Sequence, residues 1–193
     1  MKKTILSILT LSALVIFMII NPVIADTDEE IAAKNKYLEE VFYKAWELME
    51  NGDDLPAKTL LIEVFNSKYR ELYTDADVVK LYYAVGWAFL LQPNGADEEK
   101  AILYFDEALE LDPKHEKSLI MKNLIYVNAA ENEKALEAAK KAKLYLIDEK
   151  AVNFNNKLLD ELPAVINNAA TQADLYTSLN SGYKPLISWL RSK

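Results

Sequence analysis

The sequence predicts an all-α protein, and three observations support this class. The 193 residues include only four glycines and six prolines, too few for a chain rich in β turns. Ala, Leu, Glu and Lys are abundant, and these residues lose little conformational freedom when they enter a helix. Apolar residues also recur at steps of three and four positions, which is the period of one helix face. Together these patterns predict a row of antiparallel helices joined by short loops.

The first 25 residues have the pattern of a signal peptide. Lys2 and Lys3 precede an apolar stretch over residues 4–20, and Asn21–Pro22 and Val23–Ile24–Ala25 resemble a cleavage region. These features predict cleavage after Ala25 and a periplasmic or secreted protein, in keeping with a bacterial origin. The alternative is an uncleaved N-terminal helix that anchors the chain, because about 17 apolar residues lie at the lower edge of a membrane span.

Charge and cysteine content make several partners unexpected. The first 25 residues hold two lysines and no acidic residue, so residues 26–193 carry 20 basic and 30 acidic side chains, a net charge of −10. This region lacks the basic stripe with which proteins meet nucleic acids, and we expect no membrane insertion after cleavage. The chain has no cysteine, which excludes a lipoprotein signal and disulfides, so stability must come from core burial.

Apolar stripes and helix-ending residues place the individual elements in order. A first stripe from Ile31 to Met49 ends at Asn51–Gly52, and a second follows Pro56, which suits a first helical turn. Further helices are predicted at about 77–91, 97–111, 116–128 and 132–146, and shorter pieces follow residue 148. Capping-box patterns occur at 74–77 and 171–174. Residues 180–182 predict a helix end, with a last short helix at 185–190.

Several residues recur 34 positions apart, which indicates a repeat. The pairs are Ala101 and Ala135, Phe105 and Ala139, and Ala108 and Ala142, while the preceding helix has Tyr82, Val85–Gly86 and Phe89, and Glu110–Leu111–Asp112–Pro113 follows. These residues and spacings resemble those of the tetratricopeptide repeat (TPR) family, whose unit is a helical hairpin. The resemblance is closest over residues 79–113, extends to 116–148 and includes a degenerate hairpin at 39–73.

The resemblance implies a single domain over residues 26–193. Its hairpins would form a TPR-like array, a right-handed α-solenoid, with residues 149–193 as capping helices. Small residues such as Gly86 and Ala101 would let the two helices of a hairpin approach closely. Two features depart from the family pattern. The loop between Gly86 and Ala101 is three residues longer than usual, and Asn123 occupies the position where the second unit would have glycine.

The same resemblance implies a protein-interaction function. TPR proteins bind peptides or proteins in a concave groove lined by the first helix of each hairpin, and the equivalent residues here are Lys80, Tyr83, Trp87, Leu90, Lys117, Ile120, Leu124 and Val127. We expect this apolar, aromatic groove with basic edges to bind a partner segment, and the protein to act as a scaffold in complex assembly. The alternative is a structural or inhibitory protein whose own C-terminal helices fill the groove and which acts through another surface or by self-association.

The sequence contains little that suggests catalysis. His115 is the one histidine, and the chain has no cysteine, so neither a Cys–His pair nor a His-based zinc site is expected. Adjacent acids such as Glu39–Glu40 are most simply a solvated face. The turns at 51–54 and 94–99 lack calcium-loop spacing. We therefore expect no enzyme, cofactor or metal, and the sequence leaves the partner and the oligomeric state open.

Overall fold

The computed structural model describes residues 27–91 and 95–192, and these residues are helical without any strand. The all-α class predicted from the sequence is therefore confirmed. The predicted signal peptide lies outside the described residues. Among the helices that are described, none combines the length and apolar character that crossing a membrane requires.

Within the described residues, eight α-helices follow one another, and each packs mainly against the next. Their bounds are α1 Thr27–Glu50, α2 Asp54–Val64, α3 Asp75–Leu90, α4 Glu98–Leu111, α5 Glu116–Asn128, α6 Asn132–Ala142, α7 Glu149–Ile166 and α8 Gln172–Leu190, with a short 3₁₀ helix, Arg70–Leu72, before α3. Both predicted capping boxes are present, at Thr74 with Asp77 and at Thr171 with Asp174. In each box the two side chains satisfy amides that the first helical turn leaves without partners.

Helices α3 and α4 cross closely at Gly86. A Cβ atom built on Gly86 would lie 2.7 Å from Cε1 of Phe105, a ring that is completely buried. Ala101 and Ala108 on α4 are also fully buried. The position therefore requires glycine, because any side chain there would push against the Phe105 ring.

A buried pair of asparagines connects α5, α6 and α7. Asn123 Nδ2 donates to Asn155 Oδ1 at 2.9 Å, and Asn155 Nδ2 donates to the Ala139 carbonyl at the same distance. Both side chains are almost completely buried. The residue that departs from the repeat pattern, Asn123, thus forms a polar contact with the helix after its own hairpin.

Helix α8 is continuous, so the predicted break at residues 180–182 is wrong. It passes through Gly182 and Pro185, although both residues disfavour a helix interior. The reason lies in the packing of four fully or nearly fully buried leucines that share one face of the helix, Leu175, Leu179, Leu186 and Leu190. Burial of this stripe outweighs the local preference of the sequence for a break.

The course of α8 determines which surfaces of α3 and α5 remain exposed. At its start, Gln172 Nε2 and the Tyr176 hydroxyl donate to the carbonyl of Val127, in the last turn of α5. After its end, Ser192 accepts from Lys117 in the first turn of α5. Helix α8 therefore runs antiparallel to α5, and its last residues reach the middle of α3.

Candidate functional site

The end of α8 covers the middle of the predicted groove. The buried hydroxyl of Tyr83 donates to the Leu190 carbonyl at 2.8 Å, and the Arg191 guanidinium lies 5.9 Å from the centre of the Trp87 ring. The Lys117 ammonium bonds to Ser192 and lies above the Trp189 ring. We call residues 185–192, which make these contacts, the C-terminal strap.

The eight predicted groove residues consequently differ in accessibility. Ile120 and Val127 are completely or almost completely buried in the core, and Tyr83, Trp87 and Leu124 are no more than 6% exposed. Leu90 and Lys117 are half-buried, and Lys80 is exposed. A partner could touch the last three without rearrangement, whereas the other five are buried.

One cavity of about 590 Å³ opens beside the strap, and we call it the aromatic pocket. Its walls come from α1, α3, the start of α5 and the end of the strap, and they comprise Asn35, Leu38, Glu39, Phe42, Trp46, Asp77, Lys80, Tyr83, Ala84, His115, Lys117 and Ser192. Three of the predicted residues, Lys80, Tyr83 and Lys117, are thus brought together here. Phe42 and Trp46 are half-buried, so each presents part of its ring to the cavity.

Sequence reasoning missed the contribution of α1. The unit at 39–73 matches the repeat pattern weakly, so the sequence predicts a helix there but no groove residues. The signal that could have revealed them is the pair Phe42 and Trp46, one turn apart on a helix that precedes the closest repeat match. The ring of Trp46 lies 6.1 Å from that of Trp87, which joins α1 to α3 behind the pocket.

A second cavity of about 320 Å³ lies on the other side of the strap, and we call it the distal pocket. It holds three more predicted residues, Trp87, Leu90 and Leu124, and it is bounded by Ile187 and Arg191 of the strap. The indole N–H of Trp87 is buried and has no acceptor in the described part of the chain. The two pockets together account for six of the eight predicted residues.

The charged side chains around the aromatic pocket differ in whether an ion pair neutralises them. Burial disfavours the charge of Asp77, but hydrogen bonds from Lys34 and Thr74 outweigh that effect and leave its pKa below the usual value. The Lys34 ammonium lies 2.7 Å from the carboxylate, so this acid is neutralised. By contrast, burial lowers the pKa of Lys117, whose contacts are a carbonyl, a hydroxyl and a ring. Lys117 with the exposed Lys80 therefore gives the pocket mouth a positive edge, opposed by Glu39.

His115 lies in the wall of the pocket, between a tyrosine ring and a serine hydroxyl. Its ring meets the Tyr83 ring edge-on at 5.4 Å, and its Nδ1 is 2.8 Å from Ser118 Oγ. Ser118 is completely buried, so its hydroxyl is not presented to a substrate. Burial lowers the pKa of His115, which keeps the ring neutral near pH 7. Among the described residues, no cluster of three acidic, histidine or cysteine side chains could hold a metal.

Comparison with known proteins identifies no relative of this chain. No family model, curated protein or solved structure matches this chain.

Proposed function

We propose that this protein is a non-catalytic interaction module of the cell envelope, which binds a segment of a partner protein in the aromatic pocket. The observation that carries the proposal is the composition of that cavity. Partly exposed aromatic rings of Phe42 and Trp46 stand beside two lysines, Lys80 and Lys117, in a space of about 590 Å³. Aromatic side chains in such a setting often dominate protein recognition, since they bury a large apolar area with few rotatable bonds.

The pocket also indicates what the partner segment would present. An apolar side chain would cover the exposed parts of Phe42 and Trp46, and each square ångström of apolar surface removed from water would contribute about 25 cal/mol. A carboxylate next to that anchor would meet the positive edge formed by Lys80 and Lys117. The half-buried ammonium of Lys117 would gain most, because its direct contacts with Ser192 and Trp189 are uncharged and burial outweighs the attraction of Asp148.

The repeat resemblance and the order of the helices support a TPR-like architecture for this module. The hairpin of α3 and α4 has the small-residue crossing that the repeat pattern requires. In this interpretation α1, α3 and α5 are the first helices of successive hairpins, and the pocket lies where the family binds its partners. The signal-peptide pattern supports export, with residues 26–193 as the mature domain, which would serve as a scaffold in complex assembly.

A specific observation favours a second candidate function. The strap covers Tyr83 and Trp87, so the protein could be a structural or inhibitory protein that acts through another surface or by self-association. In that case the aromatic pocket would be a by-product of the packing of α1, and changes within it would leave partner binding intact.

Affinity capture from an envelope extract distinguishes these functions. The mature chain would be compared with Trp46→Ala and with Lys80→Glu, and a partner retained by the wild type should fall at least tenfold with both variants. Tyr43→Ala is the matched control, since Tyr43 lies on α1 but is 60% exposed and outside the aromatic pocket. Circular dichroism would verify that all four proteins are folded. Equal capture by the wild type and both pocket variants would contradict binding in this pocket.

A further inference from the structure

The C-terminal strap separates two cavities that lie along the same helices. The aromatic pocket borders α3 at Lys80 and Tyr83 and stops at Ser192 of the strap. The distal pocket continues along α3 at Trp87 and stops at Ile187 and Arg191. Without the strap the two spaces would join into one groove along α3 and α5. The strap therefore occupies the position of a ligand in a longer groove.

The strap is held in the way a bound segment would be held. Its apolar side chains Leu186 and Leu190 are both completely buried, in a helix that packs mainly against α7. Its polar attachments to α3 and α5 are made by the Tyr83 hydroxyl and the Lys117 ammonium, which bond to the carbonyls of Leu190 and Ser192. The Leu190 carbonyl is one of the last four of the helix, which lack partners within the helix, and the Ser192 carbonyl lies just beyond the helix end. Anchors on one face and captured carbonyls at the end are the features of a helix docked in a groove.

The attachment of the strap to the rest of α8 is locally weak. Pro185 has no backbone N–H and cannot donate to the preceding turn, and Gly182 disfavours the helix because of its conformational freedom. The sequence itself predicts a helix end at this place. Opening of α8 at residues 182–185 would therefore break fewer stabilising interactions than opening elsewhere in this helix.

We propose that the strap is a displaceable occupant of the groove, which detaches as a unit at residues 182–185. A partner helix with the same apolar pattern, matching Leu186, Ile187 and Leu190, then takes its place between α3 and α5. This inference rests on the proposed function, because it extends the partner site from the aromatic pocket to the whole groove. The apparent affinity of the partner is reduced by the small fraction of molecules in which the strap is open.

Hydrogen exchange of the full mature chain tests whether the strap opens separately. Amides of residues 187–192 should exchange at least tenfold faster than the amides in the middle of α3. Tyr83→Phe removes the bond to the Leu190 carbonyl and should accelerate strap exchange by about two- to twelvefold. Pro185→Ala, at an exposed position, supplies the missing amide and should slow it at least threefold. Equal exchange of the strap and α3 would overturn the proposal, because the strap would open only with global unfolding.

Binding of the strap sequence as a separate peptide tests displacement. The probe is a synthetic peptide of residues 183–193, added to the full chain and to Leu190→Ala, which weakens the resident strap but leaves the groove unchanged. The variant should bind the peptide at least tenfold more tightly than the wild type. Leu144→Ala is the control, since Leu144 is 73% exposed and borders neither pocket, and its affinity should equal the wild-type value.

Two results would contradict displacement. One is equal or weaker binding of the peptide by the Leu190→Ala chain, and the other is equal binding of a scrambled peptide. Both experiments use the protein and its own sequence, so they do not depend on the natural partner. If the strap opens separately but the pocket variants capture the partner as well as the wild type does, the pocket function alone is refuted. If the pocket variants lose the partner but the strap does not open separately, the strap proposal alone is refuted.

Discussion

The crossing of α3 with α4 and the junction of α5, α6 and α7 both bring helices into close contact, but different kinds of side chain hold the helices together. At the first, Gly86 lets the two helices approach until the Phe105 ring fills the contact. At the second, Asn123 replaces the expected small residue, and its side chain reaches Asn155 on the following helix. One contact is apolar and steric, and the other is a buried hydrogen-bonded pair.

This difference shows that helix junctions of similar sequence position can be held by different kinds of contact. An apolar contact gains stability from excluded water and dense packing. A buried polar contact gains little net stability, but it is costly to break because the remaining group is left unpaired. The two junctions should therefore respond differently to truncation and to replacement with apolar residues.

The largest expected effect comes from emptying the apolar crossing. Phe105→Ala should lower the free energy of unfolding by about 3–5 kcal/mol, because it removes a fully buried ring and leaves a cavity next to a glycine. Urea denaturation of both proteins measures the change. Leu103→Ala is the control on the same helix, since Leu103 is 63% exposed and should change stability little. A loss below 1 kcal/mol would mean that neighbouring side chains fill the space left by the ring, which would contradict a tightly packed crossing.

A smaller effect is expected at the polar junction. Asn123→Ala should cost about 1–3 kcal/mol, because Asn155 Oδ1 loses its donor in the core. Replacing Asn123 and Asn155 together with leucine should be closer to neutral, since the Ala139 carbonyl still accepts from the amide of Lys143. Urea denaturation of the single and double variants measures both values. If the double variant lost more stability than Asn123→Ala, the distinction between the two junctions would fail.

The smallest effect concerns a polar contact between α1 and α3. Lys34 and Thr74 hold the pKa of Asp77 below its usual value, so its carboxylate stabilises the fold above about pH 4. This contribution is lost as the pH falls through the lowered native pKa. Asp77→Asn keeps an acceptor but removes the charge, and it should cost about 1 kcal/mol at pH 7.

The pH dependence of unfolding provides the check on this carboxylate. The difference between Asp77→Asn and the wild type should shrink as the pH falls from about 4 through the lowered native pKa, because the wild-type acid is protonated over this range, first in the unfolded and then in the folded chain. Asp75→Asn, in the same turn of α3, is the comparison, because the capping box is formed by Thr74 and Asp77 and does not use Asp75. A constant difference from pH 7 to pH 3 would contradict an electrostatic role for Asp77.

The sequence identified part of the candidate site and missed another part. Lys80, Tyr83 and Lys117 were found because the repeat pattern gives the inward positions of α3 and α5, and all three border the aromatic pocket. Phe42 and Trp46 were missed, since the unit that contains them lacks a clear repeat pattern. Ile120 and Val127 were expected to line a groove but are covered within the core. Periodicity shows which residues share a face, and it does not show what packs on that face.

By itself the sequence determined the helical class, both capping boxes and the close crossing at Gly86, because each depends on residues near one another or on a regular spacing. Only the tertiary structure decided the course of α8. Local preferences at Gly182 and Pro185 favour a break, whereas burial of Leu186 and Leu190 in the core favours continuity. The structure shows that burial prevails, because four buried leucines on one face contribute more than the helix loses at two positions. The tertiary packing also places the strap over Tyr83, between the aromatic pocket and the distal pocket.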